Sequence, residues 1–197
     1  MAGCGNSRMT EEMFEDGKFL YLLFAKTIFR SQYPNFHHMP IFSSIFLGIG
    51  YTSITNIDFS RVVIDHMVER YKDKPTLQWQ QMNATALDFP DETYDVVIAK
   101  ATVDAILCGE GSTANIAKLC SEVSRVLKPN GCFLIISFGV PDNRLNYLAK
   151  EDAYSWTVTT HTVAKPTVSA SAVPSAEDAN GVHYIYVCSK GGLGEES

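Results

Sequence analysis

Two groups of residues in this chain have the types and spacing to hold a small ligand. Gly3-Cys4-Gly5-Asn6-Ser7 stands just before a helix signal at Met9–Glu15. Two glycines one residue apart let backbone approach a ligand that a Cβ would block, and a helix start offers free N–H groups to a negative group. The second group is Asp58, at the end of the short β-rich segment Ser53–Ile57. An acid at that place accepts hydrogen bonds from ribose hydroxyls, and acid-to-diol pairing selects an unphosphorylated ribose. Taken singly, the glycines could form a mere turn and Asp58 a mere helix-start charge. Their order, together with two further motifs below, points to a cofactor.

The elements that must position these residues alternate between strand and helix. After Asp58, Ser60 can cap a helix whose apolar face is Val63, Ile64, Met67, Val68 and Tyr71, recurring at three- and four-residue steps. Leu77–Met82 reads as a strand, Asp88–Asp91 as a turn, and Tyr94–Ala99 as a strand apolar on both faces, as parallel strands are. Ser112 or Thr113 can cap the next helix, with Ile116, Leu119, Cys120, Val123 and Leu127 on its inner face. Lys128-Pro129-Asn130-Gly131 stops it, with the glycine where a left-handed or turn conformation is expected. A strand follows at Cys132–Ser137, and two late strands at Trp156–Val163 and His183–Ser189 flank a long Ala/Ser/Pro/Val-rich loop, Lys165–Gly181. This pattern predicts a doubly wound α/β fold, a mostly parallel sheet with an antiparallel C-terminal strand pair.

The two further motifs are Asp95-Val-Val-Ile98 within its strand and Glu122-Val-Ser-Arg-Val-Leu-Lys-Pro-Asn-Gly131 before the next. The ordered set resembles the class I S-adenosylmethionine-dependent methyltransferases, which are Rossmann-like. Their helix stop is commonly R-x-L-K-P-G-G, and Arg125–Gly131 differs by Asn130. Gly3–Ser7, Asn56–Ser60, Leu87–Val97, Lys100–Ala105 and Ser121–Pro129 are similar to one branch, the methyltransferase-like family that includes lysine methyltransferases of translation elongation factor 1-alpha. The resemblance implies S-adenosyl-L-methionine as cofactor and a basic, elongation factor-like protein as substrate. It implies that the segment Gly3, Cys4, Gly5, Asn6 and Ser7 lines the methionine end of the cofactor. Asp58 then holds the ribose, Phe59 packs beside the adenine, and Asn83 and Ala84 meet the adenine edge. Asn83 stands where the family often has Asp. Lys100, Thr102 and Asp104 fall where cofactor methyl and substrate meet. No residue stands out as the catalytic base.

The pattern is broken twice. The strand that should precede Gly3 is largely missing, so Met1 reads as an internal methionine of a longer chain, and the neighbours of that central strand are expected to lack partners. Residues 18–50 interrupt the family pattern; without them Asp58 follows Gly5 by about 20 residues, the usual glycine-to-acid spacing. Gly17-Lys18-Phe19 can be encoded with a splice-donor-like GTAAGT, and Ile49-Gly50 with an acceptor AG. The favoured expectation is a translated intron, and the rival is a genuine substrate loop or membrane-touching lid. One domain, residues 1–190 with this insert, and a disordered tail at 191–197 complete the expected organisation.

Composition excludes other classes. Of 197 residues, 46% are hydrophobic and 19% charged, as in a globular protein. A net charge of −6 argues against nucleic-acid binding, which needs a basic face. The five cysteines are widely spaced without C-x-x-C, so a disulfide framework or metal site is not expected, and His37-His38 has no partner at ligand spacing. The start is glycine-rich and polar rather than a signal peptide, and Phe19–Ala25 is too short to span a bilayer, so a cytoplasmic protein without membrane contact is expected. Two alternatives stay open. A nicotinamide-dependent oxidoreductase wants a third glycine where Arg8 stands. A truncated, non-catalytic remnant or binding module would hold no cofactor.

Overall fold

The computed structural model describes residues 21–27, 51–164 and 182–191. The glycine segment Gly3–Ser7, His37-His38, the Lys165–Gly181 loop and residues 192–197 lie outside them. Seven strands form one sheet: β1 (Tyr21–Thr27), β2 (Tyr51–Asp58), β3 (Leu77–Gln81), β4 (Tyr94–Lys100), β5 (Leu127–Ser137), β6 (Trp156–Ala164) and β7 (Val182–Lys190), in the spatial order β3-β2-β1-β4-β5-β7-β6. The pairs β2–β3 and β4–β5 are parallel. Both β6 and β5 pair antiparallel with β7, which is the C-terminal antiparallel edge. The main helices are α1 (Arg61–Arg70), α2 (Thr102–Cys108) and α3 (Ser112–Val126).

The centre of the sheet departs from expectation. The sequence predicts a gap there; the structure fills it with Tyr21–Thr27, the start of the 18–50 stretch. This strand runs antiparallel to both neighbours, with Phe24 opposite Thr55 on one side and Val97 on the other. The backbone groups of β2 and β4 that face the slot between them need partners, and any extended segment that reaches the slot can supply them.

The core rests on a few periodic faces. Ile116, Leu119, Cys120, Val123 and Val126 of α3 are fully buried, each such aliphatic side chain contributing about 1.5–3 kcal/mol. On α1 only Ile64 and Met67 are buried, while Val68 is exposed and Tyr71 stacks on Trp79 at 5.6 Å. Trp156 is buried, its indole N–H donating to the Leu148 carbonyl at 2.9 Å. Cys120 and Cys188 are buried and free; burial pushes the Cys120 thiol up to about 12, so it packs as a small apolar group.

Three local readings change. Ser60 does cap α1, accepting from Val63 N–H at 3.4 Å. The cap of α3, however, is Gly111 at φ 65°, not the side chain of Ser112 or Thr113. At the stop after α3 the left-handed residue is Asn130 (φ 61°), which tolerates that region better than most. Gly131 is needed for space instead: a Cβ there would lie 2.8 Å from the Lys128 carbonyl oxygen. Helix α2 was not expected; it is reached through Ala101 at φ 58°.

The Leu87–Val97 and Ser121–Pro129 motifs are tied together by two ion pairs, Arg125–Asp91 and Lys128–Asp95. The Arg125 guanidinium donates to the carbonyls of Phe89 (2.7 Å) and Leu87 (2.9 Å), and to Asp91 and Glu122. Glu122 accepts in turn from Leu87 N–H at 2.7 Å. The hydrogen bond from Arg125 holds the Glu122 carboxyl below its ordinary value, against a smaller opposing effect of burial.

Two outcomes are expected. Phe24→Pro removes a donor from a strand paired on both edges and should lower unfolding stability by about 3 kcal/mol in urea titration, whereas a proline in an unpaired loop would be neutral. Because the folded Glu122 pKa lies below its ordinary value of 4.5, its stabilisation is fully present above that pH and is lost as pH falls through the folded pKa. Glu122→Gln should therefore lower the urea midpoint at pH 7 and flatten its fall on acidification.

Candidate functional site

Parallel strands bring their carboxyl ends to one edge of the sheet, where ligands of open α/β folds bind. The ends of β2 and β3 are tied at that edge: Met82 N–H donates to the Asp58 carbonyl at 3.0 Å, and the Gln81 amide to the Phe59 carbonyl at 3.2 Å. Beside them lies a cavity of about 290 Å³. Asp58, Phe59, Asn83 and Ala84, four of the residues singled out from sequence, line it together.

Asp58 sits half-buried at the cavity wall. Ser60 N–H donates to its Oδ1 at 2.6 Å, fixing the carboxylate at the strand-to-helix turn. Burial raises the Asp58 pKa above 3.8, and the Ser60 hydrogen bond partly opposes this. Phe59 next to it is 77% exposed, a large apolar ring offered to solvent at the cavity rim. Ile57 and Met82 add apolar wall. The far wall belongs to α2. The left-handed Ala101 turns the chain sharply out of β4, its N–H held by the Ile136 carbonyl at 3.0 Å. Thr102 and Ile106, one helical turn apart, then face the cavity, and Gly109 and Asn115 close it.

Lys100 is placed at the end of β4, half-buried, opposite Tyr21 of β1 and Ile136 of β5. It is not among the residues lining the cavity. Asp104 is committed elsewhere. It accepts from Arg144 at 2.6 Å and Ser137 Oγ at 2.5 Å, and from Phe138 N–H at 3.2 Å. With side chains 14% and 16% exposed, Arg144 and Asp104 form a largely buried pair that pins α2 to the chain after β5. Tyr186 continues the network by donating to the Gly139 carbonyl at 2.6 Å. Asp104 is thus an anchor of the α2 wall.

Thr85, Ile106 and Asn115 line the cavity without having been singled out from sequence. For Ile106 a signal existed in its four-residue spacing from Thr102. Among the described residues no group of three or more His, Cys, Asp or Glu could hold a metal ion, and no helix is long and apolar enough to cross a membrane.

The family model for a methyltransferase domain matches residues 41–135. Over 122 residues the chain is 38% identical to the mouse EEF1A lysine methyltransferase 4, covering 58% of this chain and 47% of that protein. It is 30% identical over 168 residues to the mouse eEF1A lysine and N-terminal methyltransferase, covering 82% of this chain and 19% of that protein. The chain thus spans about half, or less, of the length of these relatives. Among solved structures it is similar in fold to the YcgJ protein of Bacillus subtilis, with TM-score 0.56 and 17% identity over 77% of this chain and 87% of that one. It is also similar to the N-methyltransferase NodS of Bradyrhizobium japonicum in complex with S-adenosyl-L-homocysteine, with TM-score 0.51 and 11% identity over 69% and 65% of the two chains.

The anchoring pair generates a test. Arg144→Ala leaves the Asp104 carboxylate buried without its cation and should cost about 3 kcal/mol of stability. Arg144→Lys, which keeps the charge, should recover part of the loss in the same urea titration.

Proposed function

We propose that the chain, which matches a methyltransferase-domain family model over residues 41–135 and is similar to elongation factor 1-alpha lysine methyltransferases, is a class I S-adenosylmethionine-dependent methyltransferase that binds S-adenosylmethionine and methylates a protein lysine. The observation that carries this reading is the meeting of Asp58, Phe59, Asn83 and Ala84 on one cavity at the carboxyl ends of β2 and β3. The residues present fit the cofactor. Ser60 occupies Asp58 Oδ1, which leaves Oδ2 to accept from ribose hydroxyls. Ile57, Met82 and Phe59 offer apolar surface to a flat base, with Asn83 and Ala84 at its edge.

The start of β1 stands at the same edge of the sheet as the cavity. Tyr21, the first residue of β1, pairs with Lys100, the last of β4, and Leu22 pairs with Ile57. For Gly3–Ser7, which lies outside the described residues, the family resemblance supports contact with the methionine end of the cofactor. Lys100 lies at that edge as well.

Bound S-adenosylmethionine supplies an electrophilic methyl group on a sulfonium, so the protein chiefly aligns nucleophile, methyl and sulfur. Asp58 fixes the ribose and through it the sulfonium. Thr102 and Ile106 form the α2 wall, held rigid by the Asp104–Arg144 pair. An acceptor lysine must first lose its proton; Asp104, already accepting from three donors, is not the group that takes it. A net charge of −6 suits a basic, elongation factor-like protein met in the cytoplasm.

Calorimetric titration with S-adenosylhomocysteine tests the reading. One-site binding is expected, and Asp58→Ala should weaken it at least about tenfold, as loss of a hydrogen bond to a charged group does. Since the ribose needs the ionised carboxylate and the Asp58 pKa is raised, affinity should fall as pH drops toward that pKa from neutrality. A folded chain that binds no S-adenosylhomocysteine would sink the proposal.

A further inference from the structure

The base-reading end of the cavity is built differently from a simple acidic or amide acceptor. Asn83 Oδ1 accepts two hydrogen bonds from the same residue, from Thr85 N–H at 3.0 Å and from Thr85 Oγ1 at 2.9 Å. An amide oxygen has two lone pairs, so these two donors saturate it. The Asn83 side chain then has only N–H donors left to offer. The same turn is closed again on the backbone, where Ala86 N–H donates to the Asn83 carbonyl at 3.0 Å.

The consequence falls on Thr85. A hydroxyl has one proton and two lone pairs. The Thr85 proton is held by Asn83 Oδ1, which can only accept. The hydroxyl therefore turns an oxygen with lone pairs, and no proton, to whatever meets it. Thr85 is half-buried and lines the cavity beside Met82, Asn83 and Ala84. A base carrying an amino group matches this oxygen, and a base carrying a carbonyl at the same place does not.

We infer that Thr85 is the residue that reads the amino group of the base, with Asn83 acting as a positioning residue that holds the Thr85 hydroxyl as an acceptor. The inference rests on the cofactor reading above and deepens it: at the adenine edge, beside Asn83 and Ala84, the acceptor for the 6-amino group is Thr85. Sites that hydrogen-bond a polar ligand group reject the analogue lacking it, because their own polar atom is then left without a partner.

The experiment compares two ligands by calorimetry on the full chain: S-adenosylhomocysteine and its hypoxanthine analogue, in which a carbonyl replaces the 6-amino group. The parent protein should bind the analogue about tenfold or more weakly. Thr85→Val, which keeps the backbone N–H bond to Asn83, should weaken S-adenosylhomocysteine by about five- to tenfold and bring the two ligands close to equal affinity. Thr85→Ser, which keeps the hydroxyl, should restore the preference. Equal binding of both ligands by the parent, or a preference that survives in Thr85→Val, overturns the assignment while leaving the cofactor reading intact. Failure of the folded parent to bind S-adenosylhomocysteine at all overturns both. Should Thr85→Val not fold, the parent's own discrimination and the Thr85→Ser variant decide.

Discussion

The fold depends on the pairing of the slot between β2 and β4. These two strands carry Ile54, Ile57, Val97 and Ile98 in the core, and both continue outward into parallel partners. An empty slot would leave two rows of buried backbone donors and acceptors without water or protein to meet them, at a cost of about 1–3 kcal/mol for each group. Tyr21–Thr27 removes that cost by pairing on both sides. It does so antiparallel, which hydrogen-bonding geometry permits as readily as parallel. The stretch that reads in sequence as an interruption is therefore partly sheet.

Reversal of one central strand leaves the ligand-binding edge in place. The remaining strands β2 to β6 still run in one direction, so Asp58, Asn83 and Thr102 emerge at one edge. Two polar ties then make that edge rigid. Arg125 and Glu122 clamp the loop after β3 onto α3, satisfying backbone groups of Leu87 and Phe89 that would otherwise be loose. Arg144 and Asp104 clamp α2 onto the end of β5. A cavity walled by a strand end on one side and α2 on the other needs both, since neither the loop nor the seven-residue helix α2 would hold position alone.

Much of this was legible along the chain. Alternation of strand and helix periods placed β2, α1, β3, β4, α3, β6 and β7 to within a residue or two, because each is buried on a predictable face, whereas β5 starts at Leu127, five residues before the expected Cys132, and takes in the expected Lys128–Gly131 stop. The Asp58–Ser60 turn was legible as well, since an acid at a strand end followed by a helix cap is a local matter of neighbouring residues. Local reasoning misplaced what depends on distant chain. Ser112 and Thr113 are sound capping residues, yet the chain arriving from α2 puts Gly111 at the cap. The apolar face assigned to α1 is wider than the sheet it covers, so Val68 stays exposed.

Residue types and spacing were enough to foresee an α/β sheet with Asp58 at a strand end, because strand ends, caps and apolar periods are short-range properties; the family resemblance added Phe59, Asn83 and Ala84, which line one cavity with Asp58. Only the tertiary structure decided which segment fills the centre of the sheet, since that choice turns on what reaches the slot and not on any propensity of Tyr21–Thr27 itself. It also decided that Asp104 is an anchor, because its partners Ser137 and Arg144 are 33 and 40 positions away. The acceptor character of Thr85 belongs to the same class: a side chain's free lone pair is known only once its proton has been placed on a neighbour.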